Sequence, residues 1–265
     1  MSTASRRTKL AKLVRYAKPR YLATSRAGHC AVCNRRTLFI LTDTPETIRN
    51  HAICVRCRSS SRSRHVAMCI VRAFASKGIG RLADFSAHPQ LAVFNTSSDT
   101  PIARALGCGS NIVCSEYFDG VGAADRSENV RNEDLQHLTF ADATFDLVVS
   151  EDVFEHVRDA KRGFGEVHRV LKSGGLHVFS IPFSFDRRTE ELFSRRDDEI
   201  VLHEPIEYHG DPLRGRIPCY TRFGFDLFDV LRDIGFGTRL DVSRFSEAQR
   251  FGTFDSFTFL ARKIA

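Results

Sequence analysis

Two pairs of cysteines stand near the start of this chain at a spacing that suits a metal ion. Cys30 and Cys33 form the first Cys-x-x-Cys pair, and Cys54 and Cys57 form the second, with 20 residues between the pairs. A Cys-x-x-Cys turn places two sulfur atoms on one side of a zinc ion, and two such turns complete a tetrahedral shell. Because four thiolates leave no open coordination position, the spacing predicts structural Zn²⁺ in a zinc-ribbon-like module.

The alternative interpretation of the two pairs is a set of reduced or redox-active dithiols, but the strand and helix context of a thioredoxin-like site is missing. His29 and His51 each precede a cysteine pair, and we interpret them as neighbours of the ligands or as surface groups. The other cysteines are scattered among apolar or strand-like neighbours, namely Cys69, Cys108, Cys114 and Cys219. This distribution predicts a reducing compartment.

Positive charge is concentrated at the front of the chain. Residues 1–65 hold 15 Lys or Arg against two acids, a net charge of +13, whereas the remainder has a net charge of −6. Such a front end can attract nucleic acid or an acidic protein partner; the alternative is solvated charge that aids solubility. An organellar presequence and a basic surface helix both fit its first residues. Without a long apolar run or a secretory signal, we expect no membrane partner and a cytoplasmic location.

The elements that must position these residues follow from the hydrophobic pattern. After the cysteines, apolar residues recur at helical spacing, which predicts a linker helix. Further on, short β-rich runs alternate with helical stretches, which is typical of parallel βαβ units. The strand candidates are LAVFN (91–95), NIVCSEY (111–117), DLVVSED (146–152) and LHVFSIPF (176–183). The predicted domains are a basic segment (1–27), a four-cysteine module (28–64), the linker helix (65–84) and an α/β domain (85–265).

One stretch of about fifty residues resembles a known family. Residues 134–183 contain, in order, an acidic residue, the strand TFDLVV, the motif EHV and the turn RVLKSGG. These motifs resemble the second half of a class I S-adenosylmethionine-dependent methyltransferase of the small-molecule, type 11-like kind. The resemblance implies S-adenosylmethionine as cofactor. It also implies a Rossmann-like, mostly parallel sheet of seven strands with an antiparallel edge pair at its end. With the cysteine pairs ahead and HEPIEYHGDP behind, the arrangement also resembles bacterial zinc-ribbon methyltransferases.

The resemblance implies a set of cofactor contacts at the ends of the strands. Glu116, at the end of NIVCSEY, is placed to accept hydrogen bonds from the two ribose hydroxyls. Asp134 matches the acid that accepts from the adenine amino group, and Leu135 offers the next backbone amide to the ring. Ser150 follows the next strand at its carboxyl end, where open α/β sheets bind ligands. Asp146 begins that strand and is expected to brace it.

The family's glycine-rich loop after the first strand is missing here. Glycines at this place relieve crowding and free backbone amides for the cofactor's carboxylate. In this chain LAVFN continues as TSSDT, so Asn95, Thr96 and Ser97 are the residues expected to offer amides and hydroxyls instead. A helix is expected to follow, capped by Asp99 or Thr100.

Methyl transfer is an in-line displacement that depends mainly on alignment, and it needs a base only if the acceptor must lose a proton. The catalytic candidates are His209, with Asp211 as its orienting carboxylate, and His156 in EHV; Glu204 and Tyr208 are further candidates. Alternatively, His209 closes a loop over the pocket and His156 packs at a helix start. SEDVFEH lacks the Pro-Pro-aromatic motif of enzymes that methylate exocyclic amines of bases.

The sequence therefore predicts a methyltransferase acting on an O, N or C nucleophile of a small molecule or a sugar-containing metabolite. One alternative is an RNA or protein acceptor guided by the basic zinc module, with steeply salt-dependent binding. Another is a non-catalytic, zinc-bearing binding protein on a degenerate methyltransferase fold.

Overall fold

The computed structural model describes residues 25–41, 52–120, 122, 126–127, 130–196, 199–211, 214–254 and 256–264. Nearly all of the predicted basic segment, and also His51, lie outside the described residues. The chain divides into two compact units. The first draws on Met1–Asp84, Thr100–Leu106 and Asp241–Thr258, and the second on Phe85–Asp99, Gly107–Leu240 and Phe259–Ala265. Among the described helices, none is long and apolar enough to cross a membrane.

The secondary structure alternates strands with short helices. The strands are β1 (Arg26–Cys30), β2 (Arg35–Ile40), β3 (Ile53–Cys54), β4 (Val93–Asn95), β5 (Ile112–Glu116), β6 (Arg126–Ser127), β7 (Val130–Asn132), β8 (Phe145–Glu151), β9 (Leu171–Ser180), β10 (Glu190–Glu191), β11 (Phe193–Arg196), β12 (Glu199–Leu202), β13 (Tyr208–Asp211), β14 (Gly215–Pro218), β15 (Thr221–Arg222), β16 (Phe236–Val242) and β17 (Phe257–Lys263). The α-helices are α1 (Ser61–Phe74), α2 (Pro101–Leu106), α3 (Ala160–Val170), α4 (Leu227–Ile234) and α5 (Phe245–Phe251).

The first unit contains a three-stranded antiparallel sheet in the order β1-β2-β3. The register places Cys30 opposite Arg35 and Cys54 opposite Phe39, so two of the paired cysteines end their strands. The predicted linker helix is α1, where the Ser60 side chain accepts from the Ser63 amide at 3.2 Å. A serine N-cap of this kind satisfies one of the free amides at the start of a helix.

The second unit is built on the predicted α/β sheet, and the predicted Rossmann-like fold is confirmed. Its strand order is β16-β17-β9-β8-β4-β5-β7-β6. β9, β8, β4, β5 and β7 pair in parallel, whereas β17 pairs with β9 antiparallel, as expected for the last strands. Apart from β6, the strands match the seven-stranded sheet that was expected. The two-residue β6 pairs antiparallel with β7 at the edge of the sheet.

The strand order places a ligand site at one edge of this sheet. The chain runs from β4 outward through β5 and β7, then returns to the other side of β4 as β8 and β9. β4 is therefore the point where the order reverses, and open α/β sheets bind ligands outside the carboxyl ends of their strands at such a point. Asn95 and Glu116 end β4 and β5 at that edge. At the opposite end of β8, Asp146 braces the sheet as predicted, accepting from the Ala92 amide and from Lys172.

Several local expectations were wrong. KSGG does not form a turn after the helix, because α3 ends at Val170 and β9 begins at the next residue. β9 advances from Leu171 to Leu176 while β8 advances only from Phe145 to Leu147, so KSGG lies in a bulge. Helix α5, between β16 and β17, was not predicted, because its seven residues are too short to show clear periodicity.

HEPIEYHGDP differs from the expected loop, because part of it forms β13, which pairs antiparallel with β14. The Gly, Asp and Pro residues of this stretch are typical of turns and hid the strand. The cysteine distribution also differs from expectation: Cys108 and Cys114 form a disulfide across a turn, with Cα atoms 6.0 Å apart. Their turn is closed by the Gly109 amide, which donates to the Ile112 carbonyl.

Candidate functional site

The four paired cysteines meet in the first unit, and we call them the cysteine cluster. The sulfur atoms of Cys30, Cys33, Cys54 and Cys57 all lie within 4.8 Å of one another. Those of Cys30 and Cys57 are 3.6 Å apart. Tetrahedral zinc with Zn–S bonds of about 2.3 Å holds its sulfurs about 3.8 Å apart, so this donor set fits a closed zinc site.

A fully buried arginine, Arg64, lies next to the cysteine cluster. Its guanidinium donates to four backbone carbonyls, those of Ala52, Ser59, Phe251 and Gly252. It also lies 4.2 Å above the ring of Phe39. Burial lowers the pKa of Arg64 to about 10, while negative charge on the neighbouring cysteines favours its charged form. No sequence pattern indicates this role, because Arg64 lies in a run of similar Arg and Ser residues.

The hydroxyl-rich loop after β4 reaches the carboxylate that ends β5. The backbone amide and the hydroxyl of Ser98 both donate to Glu116 Oε1, at 2.8 and 3.0 Å. The Asn95 side chain donates to the Ser97 carbonyl at 2.5 Å, which fixes the turn. Thr96 is 8% exposed, and its hydroxyl has no hydrogen-bond partner among the described residues. A buried hydroxyl without a partner at the carboxyl edge is a group that a ligand can satisfy.

The second oxygen of Glu116 faces a guanidinium. Arg214 Nη2 lies 3.5 Å from Glu116 Oε2, and Arg214 also donates to the carbonyl of Tyr117. Arg214 comes from the segment between β13 and β14, far away in sequence. Sequence reasoning missed this contact because no local spacing connects residues 116 and 214.

The other residues predicted to bind the cofactor are Asp134, Leu135 and Ser150, and their surroundings differ. Asp134 Oδ1 accepts from the backbone amide and the side chain of Gln136, at 2.8 and 3.0 Å, while Oδ2 receives a weaker contact of 3.3 Å. Leu135 is 7% exposed. Ser150 is turned into the core, where its hydroxyl bonds with His177 Nε2 at 2.9 Å. Burial lowers the pKa of His177 to about 3, so this imidazole is neutral.

A second group of metal-ligating side chains lies in the second unit, and we call it the histidine cluster: Glu155, His156, His209 and Cys219. Ligand atoms of His156, His209 and Cys219 lie within 4.8 Å of one another. Glu155 Oε1 is 3.8 Å from His156 Nε2 and 3.6 Å from His209 Nδ1. Glu155 and His156 lie in a 3₁₀ turn that follows β8, His209 lies in β13, and Cys219 follows β14.

The electrostatics of the histidine cluster favour charged side chains. The neighbouring Cys219 thiol and Glu155 carboxylate raise the pKa of His209 to about 10. Burial opposes the charged form of His156, but Cys219 and Glu155 outweigh burial and raise its pKa. Burial also disfavours the Cys219 thiolate, yet the two imidazoles lower the pKa of this thiol. His156 and His209 were expected from the sequence, whereas Glu155 and Cys219 were not.

The predicted pairing of His209 with Asp211 is not what the structure shows. The Asp211 carboxylate accepts from the Arg214 backbone amide at 2.5 Å and from its guanidinium at 3.0 Å. The carboxylates near His209 are Glu155 and Glu207, the latter 3.4 Å from Nε2. Asp211 is the last residue of β13, so the chain that turns back into β14 brings Arg214 to it. The remaining base candidates, Glu204 and Tyr208, are both exposed.

Comparison with known proteins agrees with this geometry. Residues 109–179, which include β5, β8 and most of β9, match a family model described as "Methyltransferase domain". This match supports the predicted class I S-adenosylmethionine-dependent methyltransferase. Malonyl-[acyl-carrier protein] O-methyltransferase of Geobacter sulfurreducens is 28% identical over 121 residues, covering 34% of this chain and 43% of that protein. Sarcosine/dimethylglycine N-methyltransferase of Halorhodospira halochloris is 37% identical over 68 residues, covering 26% and 24%.

Both alignments cover less than half of the relative's length. Among solved structures, an S-adenosylmethionine-dependent methyltransferase from Mesorhizobium loti aligns with a TM-score of 0.39 and 17% identity, over 69% of this chain and 98% of that one. The family match ends before β13 and β14, so His209 and Cys219 lie outside it.

Proposed function

We propose that this chain is an S-adenosylmethionine-dependent methyltransferase that acts on an O, N or C nucleophile of a small molecule or a sugar-containing metabolite. The observation that carries the proposal is the carboxyl edge at β4. There the loop of residues 95–98 is hydrogen-bonded to Glu116, which belongs to the stretch that matches a methyltransferase domain. Backbone amides and hydroxyls of the loop replace the glycine-rich turn as donors to an anionic ligand group.

The cofactor, when bound, supplies an electrophilic methyl group on a sulfonium. In our proposal the loop holds its carboxylate end, and the free Thr96 hydroxyl gains a partner there. Glu116 accepts from the ribose hydroxyls after Arg214 yields Oε2, since Oε1 is already bonded to Ser98. Asp134 and the Leu135 amide hold the adenine. These contacts fix the direction of the methyl group, which is the main requirement of an in-line displacement.

Two observations support the proposed class of methyl acceptor. The segment after β8 lacks the Pro-Pro motif of base-amine methylation, and the two relatives reported above are named for a malonyl thioester carrier and for sarcosine or dimethylglycine. Such acceptors present a carboxylate oxygen or an amine nitrogen. In our proposal the acceptor binds beyond the carboxyl end of β8, on the side of the 3₁₀ turn.

We also propose structural zinc in the cysteine cluster. Four convergent sulfurs and a buried guanidinium nearby match the charge and the geometry of a tetrathiolate zinc centre. With no open coordination position, this zinc stabilises the module of β1–β3 and takes no part in methyl transfer.

The test is calorimetric titration of S-adenosylhomocysteine into zinc-loaded protein. We expect micromolar binding that Glu116→Ala and Asp134→Ala each weaken tenfold or more, about 1.4 kcal/mol. Asp142→Ala is the matched control, because this carboxylate pairs with Arg169 and precedes β8, at the opposite edge of the sheet. Absence of binding to folded wild-type protein would contradict the proposal.

A further inference from the structure

The histidine cluster combines the donor atoms that a transition metal prefers. Two imidazoles and one thiol converge there, and the Glu155 carboxylate lies beside the imidazoles; they come from the 3₁₀ turn after β8 and from the β13–β14 hairpin. The ligand atoms of His156, His209 and Cys219 are at most 4.8 Å apart. The two carboxylate-to-imidazole distances, 3.6 and 3.8 Å, match the ligand-to-ligand spacing of about 3.3–3.8 Å around a tetrahedral zinc ion.

Both imidazoles are oriented as metal ligands usually are. A ligating histidine typically donates its other ring N–H to a carbonyl or a carboxylate, which fixes the tautomer and the ring orientation. His156 Nδ1 lies 2.7 Å from the Pro218 carbonyl, so its Nε2 is left for the cluster. His209 Nε2 lies 3.4 Å from Glu207, which leaves Nδ1 facing Glu155. Glu207 is itself held by Arg222 Nε at 2.7 Å.

The carboxylate of Glu155 is buried beside the two imidazoles, which are either protonated or share a metal ion with it. Its side chain is 2% exposed, and neither oxygen has a hydrogen-bond partner within the part of the chain that the structure describes. A buried carboxylate without hydrogen bonds is costly unless it is paired with a cation or coordinates a metal. The backbone holds it in place, because the Glu155 carbonyl accepts from the Tyr220 amide at 2.7 Å.

We propose that the histidine cluster binds one borderline-soft divalent transition-metal ion, best matched by Zn²⁺. The mixed nitrogen, sulfur and oxygen donors exclude the hard ions Mg²⁺ and Ca²⁺, which take oxygen ligands. On binding, the Cys219 thiol releases its proton and the two histidines are neutral, as metal ligands must be. The ion ties the turn after β8 to the β13–β14 hairpin.

This role excludes the base role predicted for the histidines. A metal occupies the nitrogen lone pair that a general base must use, so His156 and His209 cannot accept a proton while they coordinate it. The metal content of the protein therefore distinguishes a metal-binding role of these histidines from a general-base role. Metal content is measured without cofactor or acceptor, so its result does not depend on methyl transfer.

The test is the zinc content of the full-length protein after zinc loading and desalting. We expect two zinc ions per chain in the wild type, one in Cys219→Ala and one in His209→Ala. His203→Ala is the matched control and should keep two, because this histidine is exposed and bonds to Ser194 outside the cluster. Cys54→Ser should retain the one ion of the histidine cluster.

Zinc X-ray absorption of the wild type needs no variant and therefore does not depend on how the variants fold. Two occupied sites require a sulfur shell together with a nitrogen and oxygen shell, whereas the cysteine cluster alone gives a pure sulfur shell. One zinc per chain with a pure sulfur shell would overturn the proposal and return the histidines to acid–base chemistry. Two zinc ions that persist in Cys219→Ala and His209→Ala would also overturn it.

Discussion

The cysteine cluster and the histidine cluster bring similar donor atoms together in different ways. The cysteine ligands lie within residues 30–57 and are presented by two repeated turns in one small sheet. The histidine-cluster ligands extend from Glu155 to Cys219 and come from a turn after a central strand and from a separate hairpin. Only the first arrangement leaves a spacing pattern in the sequence, because only there does the same Cys-x-x-Cys turn occur twice.

The charges around the two clusters differ in a way that follows from their ligands. Four thiolates around Zn²⁺ give a formal net charge of about −2, whereas two neutral imidazoles, one thiolate and one carboxylate give about zero. A buried net charge requires a compensating charge nearby. The cysteine cluster has such a charge in Arg64, while the histidine cluster has no buried guanidinium among its described contacts.

The largest expected effect is on the cysteine cluster. Cys54→Ser should remove one zinc ion and unfold β1–β3, because the apparent free energy of structural zinc binding, about 10–16 kcal/mol, is largely folding free energy in such modules. Amide hydrogen exchange of residues 26–40 measures this loss of structure. His29→Ala is the control: this half-buried histidine bonds to Asn34 and should leave zinc and exchange unchanged. A module that stays protected in Cys54→Ser would show that it folds without metal.

The second effect tests the charge difference between the clusters. Arg64→Met should destabilise the first unit by about 3 kcal/mol or more, since four carbonyls lose their donor and the zinc centre loses its counter-charge. Amide hydrogen exchange of β2 measures the loss of stability, and competition with a chelator measures the loss of zinc affinity. Arg56→Met makes the same charge change at an exposed site and should stay within about 0.5 kcal/mol. Equal zinc affinity in both variants would contradict the hypothesis that Arg64 compensates the negative charge of the zinc centre.

A third, smaller effect tests the surroundings of the histidine cluster. Glu207→Gln should weaken its zinc binding about 10–100-fold, because the carboxylate orients His209, and it should leave the cysteine cluster unchanged. Competition titration with a chromogenic chelator separates the two sites. Glu190→Gln is the control, since Glu190 pairs with the same Arg222 from the other side. If both variants lose zinc affinity to the same extent, the loss results from a disturbed Arg222 and not from the contact between Glu207 and His209.

The effect that is smallest near neutral pH, and that grows only in acid, defines the pH range in which the two clusters can be compared. His177 has a folded pKa of about 3 against 6.5 in the unfolded chain, so its contribution is fully present above pH 6.5. As the pH falls from 6.5 towards 3, only the unfolded state gains the proton, and the second unit loses up to about 1.4 kcal/mol per pH unit. The free energy of unfolding of zinc-free protein, measured against pH, should show this slope. His177→Gln should reduce it, whereas His203→Ala should not; an unchanged slope in His177→Gln would assign it to other groups.

Much of the architecture was determined by the sequence itself. Short β-rich runs predicted β4, β5, β8 and β9, helical spacing predicted α1, and repeated Cys-x-x-Cys turns predicted the cysteine cluster. These features are local, since each depends on residues that are neighbours along one strand, helix or turn. The predicted cofactor contacts at Glu116 and Asp134 remain predictions that the titration tests.

Only the tertiary structure decided which distant residues meet. It joined Arg214 to Glu116, moved Asp211 away from His209, and placed Cys219 beside His156. It also turned Ser150 into the core beside His177. The contacts of Arg214 and Cys219 arise where the β13–β14 hairpin folds back on the ends of sheet strands, and residues about 60 to 100 positions apart carry no shared periodicity that a sequence pattern can reveal.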